Sequence, residues 1–240
     1  MTNKIKVEYD EWHDKLPVDL NIDTPWHNFV KSEIEKEHDL TSKRILEIGC
    51  GRGGLAVFLS KVNQSSNEIV ACDFSSTAVE KGEAYSKSLG INNIIWRCAD
   101  IQSIPFDDSF FDVVISCETV EHVPDPFKAV QELGRVLKPG GKFILTTPNY
   151  MNLVGLYRFY LRLTFRKWTE MGQPINNFTS IFKTLRWLKK AGLKIKYFNS
   201  VDFFIPWKPK NIRFKRMSNS GMSKYFGLQT FLTPKSLSGT

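Results

Sequence analysis

Arg44-Ile45-Leu46-Glu47-Ile48-Gly49-Cys50-Gly51-Arg52-Gly53-Gly54 is the stretch from which the rest of the chain is read. An apolar run of strand length stops at a cluster of glycines, and Leu55 to Val62 follows with helical character. Glycine lets a chain turn tightly and lets a ligand lie against bare backbone. A helix that starts behind such a turn offers N–H groups without intrahelical partners to an electron-rich ligand. Gly49, Gly51 and Gly54 also satisfy the G-x-G-x-x-G spacing of dinucleotide sites, a motif of low specificity by itself. Glu47 separates the two readings. Two residues ahead of the first glycine, a carboxylate repels a pyrophosphate and suits a ligand that carries an ammonium and a sulfonium.

Outward from this turn the pattern repeats. Glu68–Phe74 reads as a strand and Ser76–Leu89 as a helix, capped by Ser75 or Ser76 and closed by Gly90. Ile94–Ala99 and Phe111–Cys117 read as strands, Pro126–Leu137 as a helix and Lys142–Thr147 as a strand. Strands alternating with helices imply a parallel sheet covered on both faces. Upstream, Trp26, Phe29, Val30 and Ile34 recur at helical spacing over 25–38. Downstream, Ile181–Ala191 reads as a helix, and Leu193–Phe198 and Tyr225–Thr233 as two strands able to pair antiparallel. The expected organisation is a helical cap over 1–40 and one α/β domain over 41–240, with an insertion at about 149–180.

Two further acids lie where an open α/β sheet binds its ligand, at the carboxyl ends of strands. Asp73 closes the second strand in Cys72-Asp73-Phe74-Ser75 and can accept both hydroxyls of a ribose. Asp100 follows the third strand and can accept from an adenine amino group, with Ile101 packed on the ring. Any one of these acids could be a helix cap or a solvated loop residue. Three at successive strand ends match a nucleoside-binding site better than chance.

Residues 43–148 resemble the class I S-adenosylmethionine-dependent methyltransferases. EIGCGRG at 47–53 is similar to their first motif, CDFS at 72–75 to their acidic ribose turn, and ADIQSIPFDDSFFDVVIS at 99–116 to their adenine segment and fourth strand. EHVPDP and VLKPGGKFILTTPN resemble later motifs, in family order and spacing. The resemblance implies a Rossmann-like sheet of seven strands, mostly parallel, with the last strand inserted antiparallel and helices on both faces. It also implies S-adenosylmethionine as cofactor, with backbone near Gly49 and Cys117 holding the methionine amino group. Cofactor contacts are accordingly expected from Glu47, Gly49, Cys50, Gly51, Gly53, Asp73, Phe74, Asp100, Ile101 and Cys117.

An enzyme of this kind mostly places a nucleophile behind an activated methyl group and excludes water, and positioning of that kind is worth roughly 7–11 kcal/mol. A hydroxyl acceptor also gains from a general base, about 10²–10⁴-fold. His122, with Glu121, is the candidate, since it follows the fourth strand and titrates near neutral pH. The other reading of His122 is a residue that packs the next helix. Glu118, Glu121 and His122 together form an E-x-x-E-H segment that could hold Mg²⁺ or another divalent ion on one turn. Its spacing resembles that of the ubiquinone-pathway O-methyltransferases and of RNA 2′-O-methyltransferases whose metal coordinates the acceptor hydroxyls. The latter need a further histidine downstream. Here His13, His27 and His38 all lie upstream, which leaves Asn177 as the nearest polar substitute.

Substrate choice falls to residues 1–40 and 149–224. Trp12, Trp26, Trp168 and Trp207 could wall an aromatic pocket or be core. In Leu153–Trp168, Arg158, Arg162 and Arg166 recur every fourth residue apart from most of the apolar positions. That segment is a lid helix packed on the domain or a lid facing a membrane or an anion. Residues 183–216 hold eleven Lys/Arg and one acid, whereas residues 1–40 hold ten acids and five bases. This asymmetry is either a solvated basic face or a surface for nucleic acid or anionic lipid. The first fifteen residues lack the apolar core of a secretory signal, no stretch suits a bilayer span, and Cys50, Cys72, Cys98 and Cys117 form no C-x-x-C pair. Buried reduced thiols in a cytoplasmic protein are expected. The leading expectation is methyl transfer to a hydroxyl or amine of a small molecule. An RNA 2′-O-methyltransferase comes second and a nicotinamide-dependent oxidoreductase third.

Overall fold

The computed structural model describes residues 3–17, 22–35, 42–62, 68–166, 172–201, 204–205, 212–213, 225 and 229–236. Two helices, α1 (Asn3–Asp14) and α2 (Pro25–Glu35), precede β1 (Arg44–Ile48) and α3 (Gly54–Val62). Then come β2 (Glu68–Asp73), α4 (Ser76–Ser88), β3 (Ile94–Cys98), β4 (Phe111–Cys117), α5 (Pro126–Val136) and β5 (Leu137–Pro148). The chain continues through α6 (Leu153–Leu163), α7 (Ile181–Lys190), β6 (Leu193–Val201), β7 (Phe204–Ile205), β8 (Ile212–Arg213) and β9 (Gln229–Ser236).

The main sheet runs β3-β2-β1-β4-β5-β9-β6. Its parallel part is five strands, β3 to β5, with Leu46 opposite Val70 on one side and Val114 on the other. Beyond β5 lies β9, antiparallel to both β5 and β6. The closing strand starts at Gln229, four residues later than its composition suggests, and β5 begins at Leu137, so the Lys-Pro-Gly-Gly segment belongs to it. Within the insertion expected at about 149–180, the lid segment is helical as α6, Leu153–Leu163.

Strand periodicity builds two cores. Leu46, Ile48, Val70, Val114, Phe143 and Leu145 face α5 and α7, meeting Val130, Leu133 and Leu188. Ile45, Ile69, Ala71, Val113, Ile115 and Ile144 face the other way, onto α2 and α3. Both faces are therefore dry, which explains near-continuous apolar strands instead of alternating ones. Local chemistry places the helix starts. Ser75 accepts from the Ala78 N–H at α4, and Asp125 accepts from the Phe127 and Lys128 N–H groups at α5, with Pro126 in the first turn. Strand numbering diverges between β1 and β4, and open α/β sheets open a crevice at the carboxyl ends of such a pair.

Candidate functional site

The β1 turn is built to lie against β4. Gly49 adopts φ +79°, and a Cβ there would collide with the Thr119 side chain that follows β4. Gly53 adopts φ +83° with its α-carbon against the Trp96 ring. The Gly49 and Cys50 N–H groups both donate to the Cys72 carbonyl, at 2.8 and 2.9 Å. Asp73 completes the tie: Oδ2 accepts from the Gly51 N–H and Oδ1 from the Ser75 N–H, each at 2.9 Å. One carboxylate thus holds the glycine turn and the start of α4 in register.

A cavity of about 220 Å³ opens over this arrangement. Glu47, Gly49, Cys50, Gly51, Asp73, Phe74, Ile101, Cys117, Glu118 and His122 line it. Glu47 is buried, and its Oε2 makes no hydrogen bond within the protein. Burial first, and the charge of Asp73 second, push its carboxyl up to about 8. A buried carboxyl oxygen aimed into a cavity beside bare glycine backbone fits a cationic ligand such as S-adenosylmethionine. The same group disfavours a dinucleotide pyrophosphate. Gly53 and Asp100 do not line the cavity; Gly53 faces Trp96, and the Asp100 carboxylate accepts from the Gln102 N–H at 2.9 Å and its amide at 3.2 Å. The Asp100 carboxylate, expected to accept from an adenine amino group, also caps its own turn.

The E-x-x-E-H segment is not one helical face. Glu118 sits at φ +48°, and only Val120–His122 form a single 3₁₀ turn, so the i, i+3, i+4 coincidence of an α-helix is lost. Among the described residues no group of three or more His, Cys, Asp or Glu is placed to hold a metal ion. The divalent site expected at Glu118, Glu121 and His122 is therefore withdrawn. Asn177 is engaged elsewhere: its amide donates to the Glu121 and Val123 carbonyls at 3.0 and 2.6 Å, pinning the turn.

His122 Nδ1 lies 2.7 Å from the Ile175 carbonyl. A carbonyl only accepts, so Nδ1 carries the proton and Nε2 is the basic nitrogen. Nε2 is 3.5 Å from Glu121 Oε1. Glu121 is buried, accepts from Thr147 Oγ1 at 3.3 Å and does not line the cavity. It stands beside Nε2, on the opposite side of the ring from the Ile175 carbonyl.

The outer wall comes from α1, the segment after it and the start of α2, which supply Tyr9, Trp12, His13, Ile22, Trp26 and His27. The i, i+3, i+4 spacing of Tyr9, Trp12 and His13 is the signal that could have found this helix. Tyr9 donates to the His122 carbonyl at 2.9 Å and meets Phe74 edge-on. Arg52 Nη1 donates to His13 Nδ1 at 3.2 Å, which matches an imidazole whose burial holds its pKa down. Lys81 closes the far end, donating to the carbonyls of His13, Asp14 and Leu16. Asp10 accepts from Ser75 Oγ at 2.6 Å and the Thr77 N–H at 3.2 Å. Burial opposes its ionisation, but these bonds and Lys6 outweigh it and hold the carboxyl at about 2. Asp10→Ala should raise amide exchange across residues 3–14 at least about tenfold, as loss of a helix-capping carboxylate costs about 1–2 kcal/mol. Unchanged exchange there would count against Asp10 as the latch.

Trp168 and Trp207 lie outside the described residues, as do 202–203, 206–211 and 214–216 of the basic stretch. Of the four free thiols, Cys50 and Cys72 are buried, Cys117 is half-buried and Cys98 is exposed, which corrects the expectation of four buried ones. Burial pushes Cys72 up to about 12 and Cys50 and Cys117 well above the ordinary thiol range, so these three stay protonated and unreactive.

Residues 46–145 match the family described as "Methyltransferase domain". The ubiquinone biosynthesis O-methyltransferase of Coxiella burnetii is 33% identical over 118 residues, 48% of this chain and 48% of that enzyme. The ubiquinone/menaquinone biosynthesis C-methyltransferase of Geotalea daltonii is 31% identical over 145 residues, 59% of this chain and 60% of the relative. The chain thus spans roughly half to three-fifths of the length of these relatives. A SAM-dependent methyltransferase from Aquifex aeolicus shares the fold, with a TM-score of 0.57, 19% identity and coverage of 85% of this chain and 87% of that one.

Proposed function

We propose, from the class I S-adenosylmethionine-dependent methyltransferase domain that this chain carries, that it moves the sulfonium methyl group to a hydroxyl of an aromatic small molecule. The cofactor supplies the activated methyl group. Glu47 answers the cofactor's positive charge, the glycine turn receives it on bare backbone, and Asp73 accepts from its ribose. Trp12, Trp26 and His27 wall the acceptor side of the cavity, where aromatic side chains shield the transfer from water. His122 Nε2 takes the hydroxyl proton, while the Ile175 carbonyl fixes the ring through Nδ1 and Glu121, beside Nε2, stabilises the imidazolium that forms.

One observation carries this reading: the Glu47–glycine–Asp73 floor and the His122–tryptophan wall line the same cavity. Two relatives named for quinone biosynthesis support a phenolic acceptor. The test is methyl uptake from labelled cofactor by a panel of catechols, hydroquinones, amines, carboxylic acids and short RNAs. Uptake by the phenolic members is expected; uptake by RNA alone would overturn the proposal. His122→Ala should lower kcat by about 10²–10³-fold while cofactor affinity stays within about twofold. An unchanged kcat across pH would remove His122 from the reaction.

A further inference from the structure

Helix α6 is apolar on the side that faces away from the protein. Val154, Gly155 and Leu161 are buried. Leu153, Leu156, Tyr157, Phe159, Tyr160 and Leu163 are exposed, with Leu156 at 66%, Phe159 at 60% and Leu163 at 62%. At 100° per residue these six cover an arc of about 160°. Phe165, just past the helix, is 98% exposed. Contiguous exposed apolar surface of this extent marks a site of interaction.

The charge around it identifies the occupant. Residues 149–201 contain ten Lys/Arg and a single acid, Glu170. Arg162 and Arg166 are exposed at the end of α6, and Lys183, Arg186, Lys189 and Lys190 are exposed on α7. An aliphatic and aromatic face on a helix that ends in exposed arginines, within a stretch that is basic with a single acid, suits an anionic lipid surface. A second copy of the chain would bring the same patch against itself and oppose like charges. No helix among the described residues is long and apolar enough to cross a membrane, and α6 has 11 residues. It would therefore lie in the interface.

We infer that α6 is a membrane-docking helix, seated in the headgroup layer of an anionic bilayer by its outward apolar face. The helix is also tied to the cavity. Arg158 lies 4.1 Å over the Tyr150 ring and donates to the Asn176 carbonyl at 3.1 Å. The same segment supplies Gln173 to the cavity wall and the Ile175 carbonyl to His122. Docking sets the cavity beside the bilayer, where a lipid-soluble acceptor resides; this last step rests on the proposed small-molecule reading, and the docking does not.

The test is co-sedimentation of the full chain with vesicles of phosphatidylcholine, alone or mixed equally with phosphatidylglycerol. Binding to the mixed vesicles at least about tenfold tighter, and weakening with salt, is expected. The variant Leu156→Ser/Phe159→Ser/Leu163→Ser should bind about a hundredfold more weakly with its melting temperature kept. Arg162→Glu/Arg166→Glu should lose roughly tenfold on the mixed vesicles alone. Failure of the unmodified chain to sediment with either vesicle overturns the inference. So does equal binding by the triple-serine variant, or a dimer in light scattering that this variant dissociates while vesicles go unbound. Methyl uptake by RNA with vesicle binding intact would sink the small-molecule reading and leave the docking.

Discussion

Asp73→Ala is expected to lower affinity for S-adenosylhomocysteine by at least about a hundredfold and to destabilise the ligand-free protein by about 2–4 kcal/mol. The two effects have one origin. The Asp73 carboxylate receives the Gly51 and Ser75 N–H groups at 2.9 Å, so its loss strands two donors, each costing about 1–3 kcal/mol when buried without a partner. It also removes the acceptor proposed for the ribose hydroxyls and frees the glycine turn from the start of α4. Calorimetry gives the first number and urea unfolding the second. Affinity within about threefold of the unmodified protein would contradict the ribose assignment. Lost stability with affinity kept would reduce Asp73 to a structural tie.

Glu47→Gln is expected to act in opposite directions on stability and on cofactor binding. Burial, then Asp73, raise the Glu47 carboxyl from 4.5 to about 8. The native state therefore keeps a proton that the unfolded chain has released between these values. Its contribution is full below about 4.5, declines as pH rises through the folded value near 8 and is lost above it. The span is on the order of 5 kcal/mol. Glutamine keeps the shape and cannot ionise, so the ligand-free variant should be the more stable protein above pH 8, by a few kcal/mol, and nearly equal to the parent in mild acid. A cationic ligand favours the ionised carboxylate. Cofactor affinity of the unmodified protein should rise with pH up to about 8, by at most tenfold per unit, with release of close to one proton at neutral pH. The variant should bind more weakly at pH 8 and show no such slope. Buffers of different ionisation heat report the proton count. No proton release on binding would exclude Glu47 as the counter-charge.

Much of this molecule is legible within a few residues of chain. The apolar run ending at Gly49, the Ser75 and Asp125 caps, and the acid at the end of β2 are local signals. They rest on backbone sterics, strand and helix periods, and unpaired amides at helix starts. Glu47 and Asp73 could be named from them because the ends of parallel strands converge on one crevice. Other features needed the fold. Nothing local says that Glu118 takes a left-handed backbone and breaks a spacing that looks helical. Nor does the sequence near Asp10 announce that it caps a helix 65 residues away, or that Ile175 selects the His122 tautomer. The sequence by itself determined the parallel sheet and the glycine-and-acid floor. Tertiary structure alone decided the wall, the orientation of the imidazole and the outward face of α6. The physical reason is that a side chain's direction and partners depend on whatever distant segment packs against it, whereas the backbone's path depends mostly on its neighbours.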